Sequence, residues 1–404
     1  MKTFKKTGKQ LEVVEAVKRV LYLLLEGGSR SGKTLIIVYI IFVRAIKYAH
    51  TDHLSVRSVF NDAKKALWLK TIPDVHRICF PNLQLRYDKT DFYVEFPNGS
   101  RYWIGGLDDA KRREKVLGNE YATIHENEIT QISYKSHTIL KTRLNPPPDV
   151  KPLMLLDQNP GSKRHWGFKL FHLGVDPIDD KPIDYADSLG VIKMNPADNL
   201  DNLNPVYVNQ VLGTMTGDDK ERFVKGNYTE VTGAIYNKFN ESMVITDDKP
   251  CDYYVVGIDL ITYAAVLIGF MANDVIILDE RGGKDLTASE LNKIIVDDWK
   301  KYQYSAYIDW NLSETGTREF DSSNLAIKGA GSVEAGINQI KQLMESRHFW
   351  IHERCYRTRL EIEDYHRDDN GKIVKGNDHY IDGMRYGIYS HTYHGEPTVR
   401  IIDL

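Results

Sequence analysis

The chain has 404 residues, 42% of them hydrophobic and 27% charged, with a formal net charge of −3. That length exceeds one ordinary core and implies two domains with a small third piece. The composition is that of a soluble globular protein, and the charge argues against a uniformly basic nucleic-acid binder. Basic clusters nevertheless stand at residues 111–115 and 163–164, and charge distribution matters more than the sum. Three cysteines without paired spacing fit a reducing compartment and argue against a zinc site. The longest apolar run, residues 34–46, is interrupted by Arg44 and is too short to span a bilayer. The basic N-terminus leads into no apolar signal segment.

Near the start, Gln10 lies in a polar stretch ahead of the amphipathic segment 11–25. It is either a surface residue or a reader of a base edge. "VLYLLLEGG" predicts a buried strand ending in glycines, followed by "SRSGKT" and an apolar segment to about Ala45. Strand, Gly-x4-Gly-Lys-Thr and helix is the context a phosphate loop requires. Gly27 and Gly32 let backbone N–H groups converge on phosphate oxygens, and the helix N-terminus adds positive potential. Lys33 would reach the β- and γ-phosphates, and the Thr34 hydroxyl would ligate Mg²⁺.

Farther on, "EYATIHENEIT" reads as a strand with acids at its end. Glu128 is the candidate for the base that activates water. The aspartate expected on the Mg²⁺ side is missing, and Asn127 stands there instead. Asn127 can hold a metal-bound water but carries no charge. Glu126 could supply the charge only if the strand turned it inward. "PLMLLDQNP" predicts another strand ending in turn chemistry. Asn159 there could sense the γ-phosphate at the carboxyl edge of a doubly wound sheet, or could simply belong to the turn.

From about Tyr253 the pattern restarts, with strands at "YYVVGIDL", "AAVLIGF" and "VIILDE" in hairpin-like spacing. Asp259 ends the first of these, and Asp309 ends a later short strand, "AYIDWN". In "NDHYIDGMRYGIY", Asp378, His379 and Asp382 are spaced to share one helical face. Carboxylates from separate elements can converge on two divalent metals about 4 Å apart, which clamp the attacking and leaving oxygens of a phosphodiester. Oxygen ligands with one imidazole suit Mg²⁺ or Mn²⁺ better than Zn²⁺.

In order and spacing, "GKQLEVVEAV", "EGGSRSGKT", the long segment ending in "HENEIT", "MLLDQNPGSKRHW", "ERFVKGNYTEVTGAIYNKF", "VVGIDL", "AYIDWN" and "NDHYIDGMRYGIY" resemble the large terminase subunits of tailed bacteriophages or prophages. The resemblance implies an α/β chain: a P-loop ATPase domain of the RecA/ASCE type at 1–175, a lid and linker at 176–245, and an RNase H-like nuclease domain at 246–404. It implies that Gln10 contacts adenine, that Arg30 is the arginine of the phosphate loop, and that Asn159 belongs to the motif coupling hydrolysis to DNA movement. It assigns Asp259, Asp309 and Asp382 to the nuclease, with His379 as a further metal ligand. ATP with Mg²⁺, and Mg²⁺ or Mn²⁺ at a two-ion nuclease site, are the implied cofactors. The implied partners are double-stranded DNA, a small terminase subunit, the portal protein of the procapsid and further copies of the chain in a ring, with no membrane. The implied location is the host cell cytoplasm, not the mature virion. Asn127 departs from the family pattern. It keeps open a relative that binds nucleotide without turnover, beside a helicase-like repair ATPase with a nuclease domain. Arg143 is a candidate for the arginine acting across subunits.

Overall fold

The computed structural model describes residues 4–216, 220–228, 233–261, 263–283, 286–308, 326–328, 333–368, 371–374, 376 and 378–394. The chain divides into two compact units, Met1–Glu230 and Val231–Leu404.

In the first unit the strands are β1 (Tyr22–Glu26), β2 (Asp52–Arg57), β3 (Arg86–Asp88), β4 (Tyr93–Glu95), β5 (Arg101–Gly106), β6 (Thr123–Asn127), β7 (Leu153–Gln158) and β8 (Leu189–Lys193). Among the described residues they form one sheet in the order β3-β4-β5-β2-β6-β7-β1-β8. The run from β5 to β8 is parallel, and β3 and β4 extend it antiparallel. A parallel sheet needs cover on both faces, and the alternation of side chains supplies it. Leu23, Leu25, Leu153 and Leu155 pack with Ile36, Ile37, Ile40 and Ile41 of the helix Lys33–Lys47. Leu24, Ile124, Met154 and Leu156 pack with Tyr134, Trp166 and Leu170.

The loop between β1 and the helix Lys33–Lys47 is the predicted phosphate loop. Gly27 has φ 133°, and a Cβ there would meet the Met194 carbonyl oxygen at 2.0 Å. Glycine is therefore needed both for the backbone conformation and for the close approach. Met194 follows β8 and donates its N–H to the Glu26 carbonyl. The chain after β8 continues around the loop. Gly28 N donates to Asn195 Oδ1 at 3.0 Å, and Ser29 N donates to the Phe223 carbonyl at 2.9 Å. The Tyr228 hydroxyl donates to the buried Glu26 carboxylate at 2.6 Å and accepts from Gln158 Nε2 at 2.6 Å. His172 Nε2 lies 3.0 Å from the same Glu26 oxygen. Of the 176–245 stretch expected as lid and linker, β8 thus completes the first sheet, and Val244–Ile245 forms β9 of the second unit.

The second unit continues with β10 (Tyr253–Asp259), β11 (Ala264–Met271), β12 (Asp274–Gly282), β13 (Tyr304–Ile308), β14 (Ala326–Lys328) and β15 (Phe349–His352). Among the described residues the order is β14-β13-β10-β11-β12-β15-β9. An antiparallel meander, β10-β11-β12, is extended on the β10 side by parallel β13 and β14. This is the sheet expected of an RNase H-like fold. One face is covered by the helix Ala288–Trp299 through Leu291, Ile295 and Trp299. The other is covered by the helix His379–His394 through Ile381, Met384 and Ile388. That second helix lies very close to the sheet: a Cβ on Gly257 would meet the Gly383 carbonyl oxygen at 1.8 Å and the Gly387 nitrogen at 2.7 Å.

These contacts set two expectations for stability. Tyr228→Phe removes one donor from buried Glu26 and the acceptor of Gln158, and should lower the urea-unfolding free energy by about 1–3 kcal/mol. A loss below about 0.5 kcal/mol would show that these bonds do not anchor the segment. Gly257→Ala should cost about 1–3 kcal/mol or more by overpacking. Gly283→Ala, where an added Cβ meets nothing within 4 Å, should leave the same transition nearly unchanged.

Candidate functional site

Pairing register decides what stands around the phosphate loop. β7 lies between β6 and β1, and Asn127 is registered against Asp157, His125 against Leu155, and Glu126 against Leu156. Because side chains alternate along a strand, Asp157 shares the face of Leu153 and Leu155, toward the helix that begins at Lys33. Asn127 shares that face. Glu126 does not: it is fully buried on the opposite face, where His137 Nδ1 lies 2.9 Å from its Oε2. The inward turn considered for Glu126 does not occur.

A carboxylate stands one strand away. Asp157 is 1% exposed. Its Oδ2 accepts from the Thr34 hydroxyl at 2.8 Å, and its Oδ1 accepts from Asn127 Nδ2 at 2.8 Å and from Glu128 N at 2.9 Å. His125 Nε2 lies 3.4 Å from Oδ2. Burial would raise this carboxyl, but His125, the Glu128 N–H and the Thr34 hydroxyl outweigh it and hold the group down at about 2. Sequence reasoning read "DQNP" for Asn159 and passed over Asp157. The available signal was the parity of Asp157 with Leu153 and Leu155, which acquires meaning only once β7 is placed beside β6 and β1.

Lys33 is buried, and its ammonium donates to the Gly27 and Gly28 carbonyls at 2.9 and 2.8 Å and to Asn159 Oδ1 at 3.1 Å. Asn159 therefore does stand beside the loop. Burial lowers the Lys33 pKa, while Asp157, Glu128 and Glu26 oppose that shift. Phosphate oxygens entering the loop would compete with these carbonyls for the ammonium. Glu128 has φ 58°, a left-handed conformation that is uncommon for a residue with a side chain. Burial and the Asp157 charge push its carboxyl above the usual range, against Arg57 and Lys33. Such an upward shift suits a general base. Thr34, Lys33, Asn127, Glu128 and Asn159 line a cleft of about 630 Å³, whose rim carries Arg57, Lys65 and Lys70. The donors grouped there are hydroxyl, carboxylate and amide oxygens, which suit a hard cation such as Mg²⁺.

Arg30 also has positive φ, at 61°. Its side chain is exposed, and its carbonyl accepts from Asn199 Nδ2 at 2.8 Å. Gln10 is buried and closes a capping box: its Oε1 accepts from Thr7 N at 3.1 Å, and its N–H donates to the Thr7 hydroxyl at 3.3 Å. A Cβ on Gly32 would come within 2.9 Å of Gln10 Nε2, so the amide abuts the loop. The basic cluster at 111–115 lies on the helix Ala110–Leu117, where Arg112 pairs with Asp108 and Lys115 with Asp91.

In the second unit, Asp259 ends β10 and is 2% exposed. His379 Nδ1 lies 3.2 Å from Asp259 Oδ2, and the Ile261 N–H donates to Oδ1 at 3.0 Å. The helix that carries His379 is held at its start by Glu361, whose Oε2 accepts from Tyr380 N at 2.7 Å and Ile381 N at 3.0 Å. Asp382 lies one turn along that helix, and its Oδ1 accepts from Arg385 at 2.7 Å. Asp309 directly follows β13 and lies outside the described residues. Among the described residues no group of three or more His, Cys, Asp or Glu forms a ready metal cage. The pair Asp259–His379 is the part of the expected constellation that comes together, and an oxygen beside an imidazole nitrogen suits a divalent ion.

A family model described as the phage terminase large subunit matches residues 19–226, and one described as the terminase RNaseH-like domain matches residues 311–391. The large terminase subunits of Salmonella phage P22 and Enterobacteria phage LP7 are each 46% identical to this chain over 59 residues, which is 15% of this chain and 12% of either relative. The chain thus aligns with a small part of the length of those relatives. The large terminase of a thermophilic bacteriophage is similar with a TM-score of 0.51 at 17% identity, covering 95% of this chain and 98% of that one. The same phage protein in complex with ADP gives 0.50 at 17% identity, covering 96% and 100%. At such identities the likeness is one of fold, here a P-loop α/β domain followed by an RNase H-like domain. With the first family model matching more than half of its length, the chain belongs to the phage terminase large subunit family.

Proposed function

We propose that this protein is a DNA-packaging motor and nuclease. The observation that carries this reading is one chain that holds two sites: Lys33, Thr34, Asp157 and Glu128 around a phosphate loop, and Asp259 with His379 at the end of a separate sheet. ATP binds at the first site, with its phosphates on the loop amides and Lys33, and with Thr34 on the Mg²⁺ side. Bound Mg²⁺ would neutralise charge on the phosphates. Glu128 orients and deprotonates the attacking water, and its raised pKa places it closer to the working pH than an ordinary carboxylate. Asn159 bonds Lys33 directly, so it can register what the lysine binds and pass that to β7. Gln10, whose amide abuts Gly32, would meet the base, and Arg30 would act at the loop.

The first unit, Met1–Glu230, would carry hydrolysis, with the chain after β8 serving as its lid, and the second, Val231–Leu404, would carry cutting. Segment 195–228 bonds the loop at Gly28, Ser29 and Glu26. Changes in the loop therefore reach the lid through direct hydrogen bonds. The motor moves double-stranded DNA into a procapsid as a ring of copies docked on the portal protein, and a small terminase subunit selects the DNA. Asp259, His379 and Asp382, with Asp309, would hold Mg²⁺ or Mn²⁺, which would supply the charge that cutting a phosphodiester requires. These steps take place in the host cell cytoplasm. No helix among the described residues is long and apolar enough to cross a membrane.

Two experiments test the two chemistries separately. ATP turnover should fall roughly 100-fold or more in Lys33→Ala. In Glu128→Gln nucleotide binding should persist while turnover drops by about 10²–10⁴-fold. Equal, negligible rates in wild type and both variants would sink the motor reading. For the nuclease, plasmid DNA incubated with Mn²⁺ should be cut by wild type and left intact by Asp259→Ala. Cutting unchanged by that substitution would remove Asp259 from the site.

A further inference from the structure

We propose that Asp157 is the positioning carboxylate on the Mg²⁺ side of the nucleotide site, supplying from β7 the charge that position 127 of β6 does not carry. The inference rests on the ATPase reading above and assigns the charge at that same site. Four observations support it. Asp157 and Asn127 are registered partners on adjacent parallel strands, so their side chains emerge side by side on one face. The Thr34 hydroxyl, which would ligate the metal, already donates to Asp157 Oδ2 at 2.8 Å. Because the hydroxyl spends its hydrogen on that bond, its oxygen lone pairs remain available, as metal ligation requires. Asn127 donates its amide N–H to Asp157 Oδ1, so it serves as a brace for the carboxylate and not as its replacement. The acid of β6, Glu126, is taken by His137 on the far face.

The position of β7 makes the exchange possible. β7 is the direct neighbour of β1, with Asp157 registered against Leu25, while β6 is one strand farther away. A carboxylate on β7 therefore reaches the start of the helix Lys33–Lys47 at least as readily as one on β6. The Glu128 N–H also donates to Asp157 Oδ1, at 2.9 Å. The same carboxylate thereby fixes the backbone of the candidate base, so the metal side and the water side of the site share one anchor. Asp157 would act through the Thr34 hydroxyl that it orients, in the manner of outer-shell partners whose loss typically weakens metal affinity 10–100-fold.

The test is a fluorescence titration of the full chain with MANT-ATP, in EDTA and in excess Mg²⁺. Wild type should bind in both, more tightly with Mg²⁺. Asp157→Asn should keep the metal-free affinity within about twofold and lose about 10–100-fold of the Mg²⁺-dependent gain. The exchange variant Asn127→Asp/Asp157→Asn, which keeps charge and atom count, should recover that gain. Asp157→Asn with the full wild-type gain overturns the proposal. Should Asp157→Asn lose its cooperative thermal melt, the exchange variant decides: a folded exchange variant without the gain also overturns it. Wild type that binds no MANT-ATP under either condition overturns the ATPase reading itself, a result distinct from loss of the Mg²⁺ gain alone.

Discussion

One buried carboxylate holds the surroundings of the candidate phosphate loop together. Asp157 is almost wholly removed from water, and an isolated charge there would cost several kcal/mol. It is stable because the Thr34 hydroxyl, the Asn127 amide and the Glu128 N–H all donate to it, with His125 alongside. Each of those donors belongs to a different functional part: the start of the loop helix, the end of β6 and the backbone of the candidate base. The left-handed Glu128 is a strained conformation that persists only where its surroundings fix it. The bond from its own N–H to Asp157 is one of the contacts that does so.

Around that anchor the first unit places a loop that depends on close approach. Gly27 passes against the Met194 carbonyl, and the chain after β8 bonds the loop at Gly28 and Ser29. The buried Glu26 at the end of β1 is then held by Tyr228 and His172. The loop and the segment after β8 are thereby one hydrogen-bonded assembly, so loop movement would be felt by that segment without a separate relay. The second unit uses close approach for another purpose. Gly257, Gly383 and Gly387 let the helix His379–His394 lie close on β10. Glu361 fixes the start of that helix, and His379 thereby reaches Asp259.

Much of this was legible in the residues. The strand, glycine loop and helix around Lys33 announced themselves because the motif, the apolar periodicity and the Gly-Lys-Thr run all lie within a few turns of chain. Asn159, legible either as a phosphate sensor or as a turn residue, stands beside Lys33, and Glu128 directly follows β6. Gln10 was half legible: Thr7-x-x-Gln10 is a capping box by spacing, and the structure forms it, while the side chain also abuts Gly32. Glu126 was weighed for a role that strand parity denies it. The cluster at 111–115 stood out in the sequence as basic, and the structure shows which carboxylates Arg112 and Lys115 meet, Asp108 and Asp91. Asp309 lies outside the described residues, so its meeting with Asp259 rests on the resemblance.

By itself the sequence pointed to the candidate phosphate loop and the strand-end carboxylates, because these are local patterns whose spacing is written in the chain. It also determined the family, through the order of those patterns. Only tertiary structure decided which acid carries the charge beside Thr34. That outcome depends on β7 lying between β6 and β1, and on a register that sets Asp157 against Asn127. Both are long-range pairings, and a shift of one residue in either would have turned the carboxylate to the opposite face.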